Sequence, residues 1–408
     1  MNTQAWLLSP DSPLVLRTGR PFGEARMIQG GAIHDFPVPG TTAGALRAAW
    51  LDAQGLEHRT HDGRLAEITV RGPVRCKLST AGRVELWLPR PADARIAVGK
   101  STKVAVRLSP TPEHGAHHTN CDLPHGLRPL LYDGAEPGTQ YEDQEWPWWR
   151  LGDLQAWLGQ RAPWRRSVGQ ILPNLPVDRR THASIDPRTL LAIDGQLFAD
   201  AGIDFTLPVK AAGAEGQQGL LLWVDAPPAL QAGLAQMHLR HSRLGADGRT
   251  VTYQQLSLDM CKPTCPPEIA TALDSAKPGD LLRVYLATPA CYLYNGWYPD
   301  GLRPTASNTI EGTPEGLSGW RFRLVAAAVG RHFTHAGAAM RNSDGERAFA
   351  AKALRRLVPA GSVYWLQVLE RGTPFLAERW WQPTCRTEYG RDGHGLALWG
   401  APADAGNS

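Results

Sequence analysis

The chain has 408 residues, 42% of them hydrophobic and 20% charged. That length argues for two domains or one large two-lobed unit, and the composition is ordinary for a folded soluble protein with a real core. The net charge is only +4, which excludes binding through a global field and requires local patches for any nucleic-acid partner.

Gly (42) and Pro (33) are abundant throughout, so elements are expected to be short and loops long. Ala5 to Leu8 reads as a first strand. Thr41 or Thr42 can cap a helix whose Leu46, Ala49, Trp50 and Ala53 share a face. Leu65 to Val70 and Val84 to Leu88 read as strands, the second with Val84, Leu86 and Leu88 alternating against Glu85 and Trp87. Residues 108 to 147 read as a long loop or extended hairpin, and Leu151, Leu154 and Leu158 as an amphipathic helix. Pro163 to Asp194 looks irregular. Further strands are expected at Gly219 to Val224, Leu281 to Ala287, Trp320 to Val329, Gly361 to Leu369 and Leu396 to Trp399. Helices are expected at Pro228 to Met237 and Glu346 to Leu357, and a frayed tail from Ala401. This mixture predicts an α+β fold with helices on one face of each sheet.

Arg17-Thr18-Gly19-Arg20-Pro21-Phe22-Gly23 precedes Pro39-Gly40-Thr41-Thr42-Ala43-Gly44-Ala45-Leu46-Arg47. An Arg-bearing loop followed by a Gly/Thr turn opening a helix suits an anion, above all a phosphate. Asp178-Arg179-Arg180-Thr181-His182 offers a second cationic pair beside hydroxyl and imidazole groups. Gly390-Arg391-Asp392-Gly393-His394-Gly395 allows close backbone approach and can form an anion nest, or can be a plain tight turn. Trp146, Trp148, Trp149, Trp157 and Trp164 lie near Arg150, Arg161, Arg165 and Arg166. Such a mixture can grip single-stranded nucleic acid, and Trp157 can equally pack a helix. Phe22 and Trp297 can stack on bases or belong to the core.

His114, His117, His118, Cys121 and His125 have spacings that can ligate zinc, but the polar Gly/Pro setting favours a solvated loop. Cys261 and Cys265 lack a second pair nearby. No metal and no cofactor is therefore expected. The six cysteines show no framework spacing, and reduced thiols in a cytoplasm are the expectation. No signal peptide and no membrane span is expected, because no basic start leads into an apolar run and no apolar stretch reaches about twenty residues. His34 and His182 are candidate acid/base groups for RNA cleavage. No Walker A, dinucleotide fingerprint, HExxH or nucleophile elbow occurs.

Several blocks resemble the third-subunit family of the Cmr (RAMP module) complex, the type III-B CRISPR–Cas effector. Leu8 to Gly23 is similar to its opening block and Pro39 to Arg47 to its helix start. Leu86-Trp87-Leu88-Pro89-Arg90-Pro91-Ala92-Asp93 follows. Arg180 to Asp186 with Gly195-Gln196-Leu197-Phe198, then Leu244-Gly245-Ala246-Asp247-Gly248-Arg249, resemble two more. Leu286 to Pro289, Gly296 to Pro299 and Pro359 to Tyr364 complete the order. Asp247-Gly248 stands where the family tends to have Gly-Glu, and His332 to Arg356 matches no family block.

The resemblance implies two tandem ferredoxin-like (RRM-like) RAMP domains with long loop or hairpin insertions. They would span 1–200, with an insertion near 108–147, and 201–400, with a disordered tail at 401–408. It implies a non-catalytic cytoplasmic subunit that binds the 5′ handle of crRNA at the foot of the complex. Its partners would be the large polymerase-like subunit and the first backbone subunit, with target RNA engaged indirectly. The implied RNA contacts are Arg17, Arg20, Thr41, Thr42, Arg47, Arg179, Arg180, His182, Gly390, Gly393, His394 and Gly395. The rival readings are a RAMP-type metal-independent endoribonuclease acting on repeat RNA, the handle-binding subunit of a Csm-type complex, and a protein-only scaffold.

Overall fold

The computed structural model describes residues 2–18, 33–56, 63–98, 103–112, 123–132, 140–142, 147–159, 165–166, 171–207, 216–343, 346–373 and 375–403. The fold is mixed α+β, mostly strands, in several antiparallel sheets. Two compact units each draw on three stretches of chain. The first takes 1–84, 174–261 and 334–355; the second takes 85–173, 262–333 and 356–408. Residue 200, the expected boundary, lies inside the second stretch of the first unit.

In the first unit, strand Asn2–Pro10 is central, with Ala5, Trp6, Leu7 and Leu8 all at 0% exposure. It pairs antiparallel with Gln217–Ala226 on one side and Thr250–Leu256 on the other. Thr69–Leu78 continues the sheet beyond Gln217–Ala226, and His241–Arg243 beyond Thr250–Leu256. Numbering the four long strands by sequence, the spatial order is second, third, first, fourth. Trp6, Leu8, Leu220, Leu222 and Val224 share one core with helices Pro39–Ala53 and Pro228–Ala235. Trp50 Nε1 donates to Leu230 O at 3.1 Å and ties the two helices.

Three sequence expectations are corrected in this unit. The first helix begins at Pro39 with Val38 as an extended N-cap and no side-chain cap. Proline's fixed φ suits the first helical position, so neither Thr41 nor Thr42 is needed there. Leu65 to Glu67 belongs to the 3₁₀ turn Gly63–Glu67, and the strand starts at Thr69. Pro163 to Asp194 contains one arm of a hairpin, Val177–Ile185 paired with Ala192–Ile203. Its strands lack the half-buried alternation that sequence reading needs, because most of their described residues are exposed.

The helix expected at Glu346 to Leu357 is also corrected. Glu346–Ala351 pairs residue for residue with Ala338–Ser343, and Arg355–Leu357 pairs with Phe333–His335. Cross-strand pairing here overrides the helix propensity of an Ala/Glu/Lys/Arg-rich segment.

In the second unit, Leu281–Leu286, Arg321–Ala328, Val363–Glu370 and Leu396–Ala403 form the central sheet. Their spatial order is again second, third, first, fourth. Helix Pro267–Asp274, which sequence reading missed, and helix Leu151–Gly159 pack on Leu396–Ala403. That last strand includes Ala401 to Ala403, so the frayed tail cannot start at Ala401; residues 404–408 lie outside the described residues. The stretch 108–147, expected as a long loop or extended hairpin, contains strands Leu130–Tyr132 and Gln140–Glu142, whose Tyr132 and Tyr141 rings stack at 4.2 Å.

A buried polar cluster sits in this unit's core. Trp157 Nε1 donates to Asp93 Oδ1 at 3.0 Å. Arg283 Nη2 donates to the carbonyls of Trp157 and Leu158, and Arg107 Nη2 to Trp157 O. Trp149 meets Trp157 edge-on at 5.3 Å. Trp148, Trp149 and Trp157 are all buried, so these members of the Trp/Arg group are core; Trp146 and Trp164 lie outside the described residues. No helix among the described residues is long and apolar enough to cross a membrane.

Candidate nucleic-acid interface

The segment after the first strand runs past the base of the Val177–Ile203 hairpin. Leu14 and Ile203 exchange backbone hydrogen bonds at 2.8 Å each. Gly245 has φ +84, and a Cβ there would stand 2.6 Å from Val15 O. The Leu244 to Arg249 loop can therefore lie against Val15, where Ala246 N donates to Val15 O at 2.9 Å. This placement brings Asp247 to Arg17, whose Nη2 lies 3.1 and 3.2 Å from the two carboxylate oxygens.

Asp200 joins from the hairpin. Burial and a shared hydrogen bond with Asp247 push its carboxyl above the ordinary carboxylate value, against the pull of the Ala201 N–H and Arg17. Across the hairpin, Asp200 stands opposite Arg180, and Arg180 Nε donates to Asp178 Oδ2 at 2.7 Å. Three distant sequence blocks thus bring Arg17, Asp247 and Asp200 together, with Arg180 opposite Asp200 across the hairpin. Arg179, Arg180, Thr181 and His182 are exposed along the same strand. Arg17 and Asp247 keep side-chain exposures of 39% and 37%. An exposed pair of this kind contributes about 0.2–1 kcal/mol, so an incoming phosphate can displace the Asp247 carboxylate.

Arg47 is occupied elsewhere. Its Nε donates to Leu65 O at 3.1 Å and its Nη2 to Ile68 O at 2.9 Å, which fastens the helix to the turn before strand Thr69–Leu78. Thr42 is fully buried and donates to Pro39 O at 2.9 Å. Thr41 is half-buried, and its N–H donates to Val38 O. Arg20 and Phe22 lie outside the described residues.

The glycine loop belongs to the second unit and is internally satisfied. The N–H groups of Gly390, Asp392, Gly393, His394 and Gly395 donate to Arg386 O, Tyr389 O, Gly390 O, Tyr389 O and Pro289 O. Thr288 Oγ1 donates to Gly393 O at 2.7 Å and accepts the Leu396 N–H at 3.0 Å. His394 is 5% exposed with Nδ1 3.2 Å from Pro289 O. Gly395, at φ +69, has no room for a Cβ beside Cys385 Sγ. The glycines serve a packed turn whose donors already have acceptors.

His34, the candidate acid/base, is 8% exposed, and its Nε2 lies 3.5 Å from Nδ1 of His335. Burial, then the His335 charge, lower its pKa to about 4. Two imidazoles in contact leave no gap for a scissile phosphate. Among the described residues no three His, Cys, Asp or Glu side chains gather to hold a metal ion. His114, His117, His118 and Cys121 lie outside those residues. Trp297 is 37% exposed and meets Tyr298 edge-on.

Sequence reading found Arg17, Arg179, Arg180 and His182 but missed Asp200, Asp247 and His335. Asp247 lies in a block noted for its resemblance alone, and no periodicity links it to Arg17.

A family model described as CRISPR-associated protein (Cas_Cmr3) matches residues 6–402. No curated protein matches the chain. Among solved structures, the chain is similar to one in the cryo-EM structure of the type III-B Cmr-beta bound to cognate target RNA and AMPPnP, state 1. That match has 12% identity, 88% of this chain, 86% of that chain and a TM-score of 0.39. A second is the same assembly bound to cognate target RNA, at 12% identity, 96% of both chains and a TM-score of 0.41. A third is the crystal structure of Cmr4, at 12% identity, 62% of this chain, 98% of that chain and a TM-score of 0.19. TM-scores this low carry no argument beside the family match.

Proposed function

This chain belongs to the CRISPR-associated protein (Cas_Cmr3) family, and we propose that it is the non-catalytic subunit of a type III-B effector that holds the 5′ handle of crRNA. In this reading it caps the foot of the complex beside the large polymerase-like subunit and the first backbone subunit. Both units are read as ferredoxin-like RAMP domains, which the shared strand order of their central sheets supports.

One observation carries the reading. Arg17 meets the base of a hairpin that exposes Arg179, Arg180 and His182, and the bridging carboxylates can yield to phosphate. Guanidinium groups fix the backbone register, and His182 and Thr181 offer edge contacts to splayed bases. Arg47, Thr42 and the glycine loop then act by shaping the fold around the contact, not by touching phosphate.

The test is filter binding of the full chain to crRNA with and without its 5′ handle, across a salt series, beside the Arg179→Ala/Arg180→Ala variant. The expected result is handle-dependent binding that weakens in the variant, with RNA left intact. Equal binding to both RNAs would reduce the chain to a scaffold. A cut product lost in His34→Ala would restore the endoribonuclease reading, against which the burial of His34 weighs.

A further inference from the structure

Tyr294 is the most exposed large apolar or aromatic side chain among the described residues, at 91%. It also sits at φ +54 and ψ +27, left-handed backbone that a bulky side chain seldom adopts. A ring held in water on strained backbone adds nothing to the core of its own chain. Three residues on, Trp297 is also exposed, and Tyr298 meets its ring edge-on at 5.1 Å. Between Met260 and Leu354, Tyr294 and Trp297 are the only large exposed side chains of this kind among the described residues.

The loop that carries these rings is fastened at both ends, within the second unit. Ala290 and Val358 exchange backbone hydrogen bonds at 2.9 Å each. Tyr292, fully buried, shares a 3.0 Å hydroxyl contact with Thr384. Tyr364 Oη donates to Trp297 O at 2.7 Å. Buried Asp300 accepts the Leu293 N–H on Oδ1 at 2.9 Å and the Arg386 N–H on Oδ2 at 3.1 Å. One carboxylate thus joins the aromatic loop to the chain at Arg386, whose side chain is exposed. Glu388, also exposed, follows two residues later, so this stretch carries no excess of positive charge.

We propose that Tyr294 and Trp297 form a stacking platform for unpaired bases of single-stranded RNA, whatever their sequence. The proposal rests on the RNA-binding role proposed above and adds a site in the second unit that grips by ring faces instead of by phosphate contacts. Every base has a π-face, so stacking on Tyr and Trp tolerates any sequence, and a guanidinium such as that of Arg386 adds to it. Because the loop is already braced, little backbone freedom is lost when a base stacks on it. A stable protein interface takes on the order of 800 Å² a side around an apolar centre. Two rings with no exposed aliphatic companion on their own stretch of chain fall short of that.

The experiment is filter binding of the full chain over a KCl series to handle-bearing single-stranded RNA, handle-less single-stranded RNA, an abasic strand of equal length and an RNA duplex. Tyr294→Leu/Trp297→Leu is compared with the unaltered chain and with Tyr294→Phe/Trp297→Phe. The hydrogen bond from Tyr364 reaches the Trp297 backbone, so neither substitution removes it. The expected result is a loss on the order of tenfold for both base-bearing single strands. The log–log salt slope stays the same, because no phosphate contact is removed. The abasic strand and the duplex are unaffected, and the Phe pair restores most of the loss. An equal loss on the abasic strand would overturn the proposal, as would a loss confined to handle-bearing RNA. Unchanged affinity for every RNA would overturn it too and leave the rings to a protein partner. If the double variant does not fold, Tyr294→Leu alone gives the same comparison, since that side chain stands almost wholly in solvent. Failure of the handle reading is seen separately, as absent discrimination between the two base-bearing single strands by the unaltered chain.

Discussion

His34 and His335 touch through ring nitrogens 3.5 Å apart, and both are held neutral: His34 by burial and then by His335, His335 by burial and then by the Lys352 charge. The unfolded chain takes up these protons near pH 6.5, while folded His34 does so only near 4. Stability is therefore complete above about 6.5 and falls as pH drops toward 4, because the unfolded state binds more protons in that window. We expect His34→Gln to flatten the pH dependence of the urea midpoint between pH 6.5 and 4, leaving the smaller share due to His335. An unchanged dependence would mean that the pair is not what senses acid. Among the arginines, residue type alone could not sort function from framework. Arg17 faces an exposed carboxylate that phosphate can replace, whereas Arg47 serves two backbone carbonyls. Both read identically in sequence as cations near a glycine turn.

Among the elements, the glycine loop illustrates how a motif can be consumed by its own surroundings. Thr288, 1% exposed, donates to one end of the loop and accepts from the strand that follows. Thr288→Val leaves a carbonyl and an N–H without that partner at nearly constant volume, so it should destabilise the protein by about 2 kcal/mol. A denaturant titration of the full chain checks this, and a change below about 0.5 kcal/mol would show the two bonds to be replaceable. Helix Pro39–Ala53 was legible because Leu46, Ala49 and Trp50 recur at helical spacing and bury together. The Glu346 to Leu357 segment misled because Ala, Glu, Lys and Arg favour helices locally. Its conformation is set by pairing partners upstream in the chain that propensity does not consider.

Across the whole molecule, the two units interleave along the chain. Strand Asn2–Pro10 has Gln217–Ala226 and Thr250–Leu256 as its neighbours, and Trp157 anchors Arg283. A fragment of residues 1–200 expressed alone is expected to lack cooperative melting by circular dichroism, since strands Asn2–Pro10 and Thr69–Leu78 would both lose their partner Gln217–Ala226. A sharp transition in that fragment would contradict the interleaving. The sequence by itself determined the α+β class, most of the buried strands, the family through the order of its blocks, and a set of candidate cations. Those signals are local: apolar runs, residue types and short spacings survive without knowledge of partners. Only the tertiary structure decided which arginines stay exposed, that Asp200 and Asp247 bridge Arg17 to the hairpin, and that the glycine loop's donors are spent. These depend on contacts between residues as far as 230 positions apart, and a chain's sequence carries no local mark of which distant groups its folding will bring within hydrogen-bonding range.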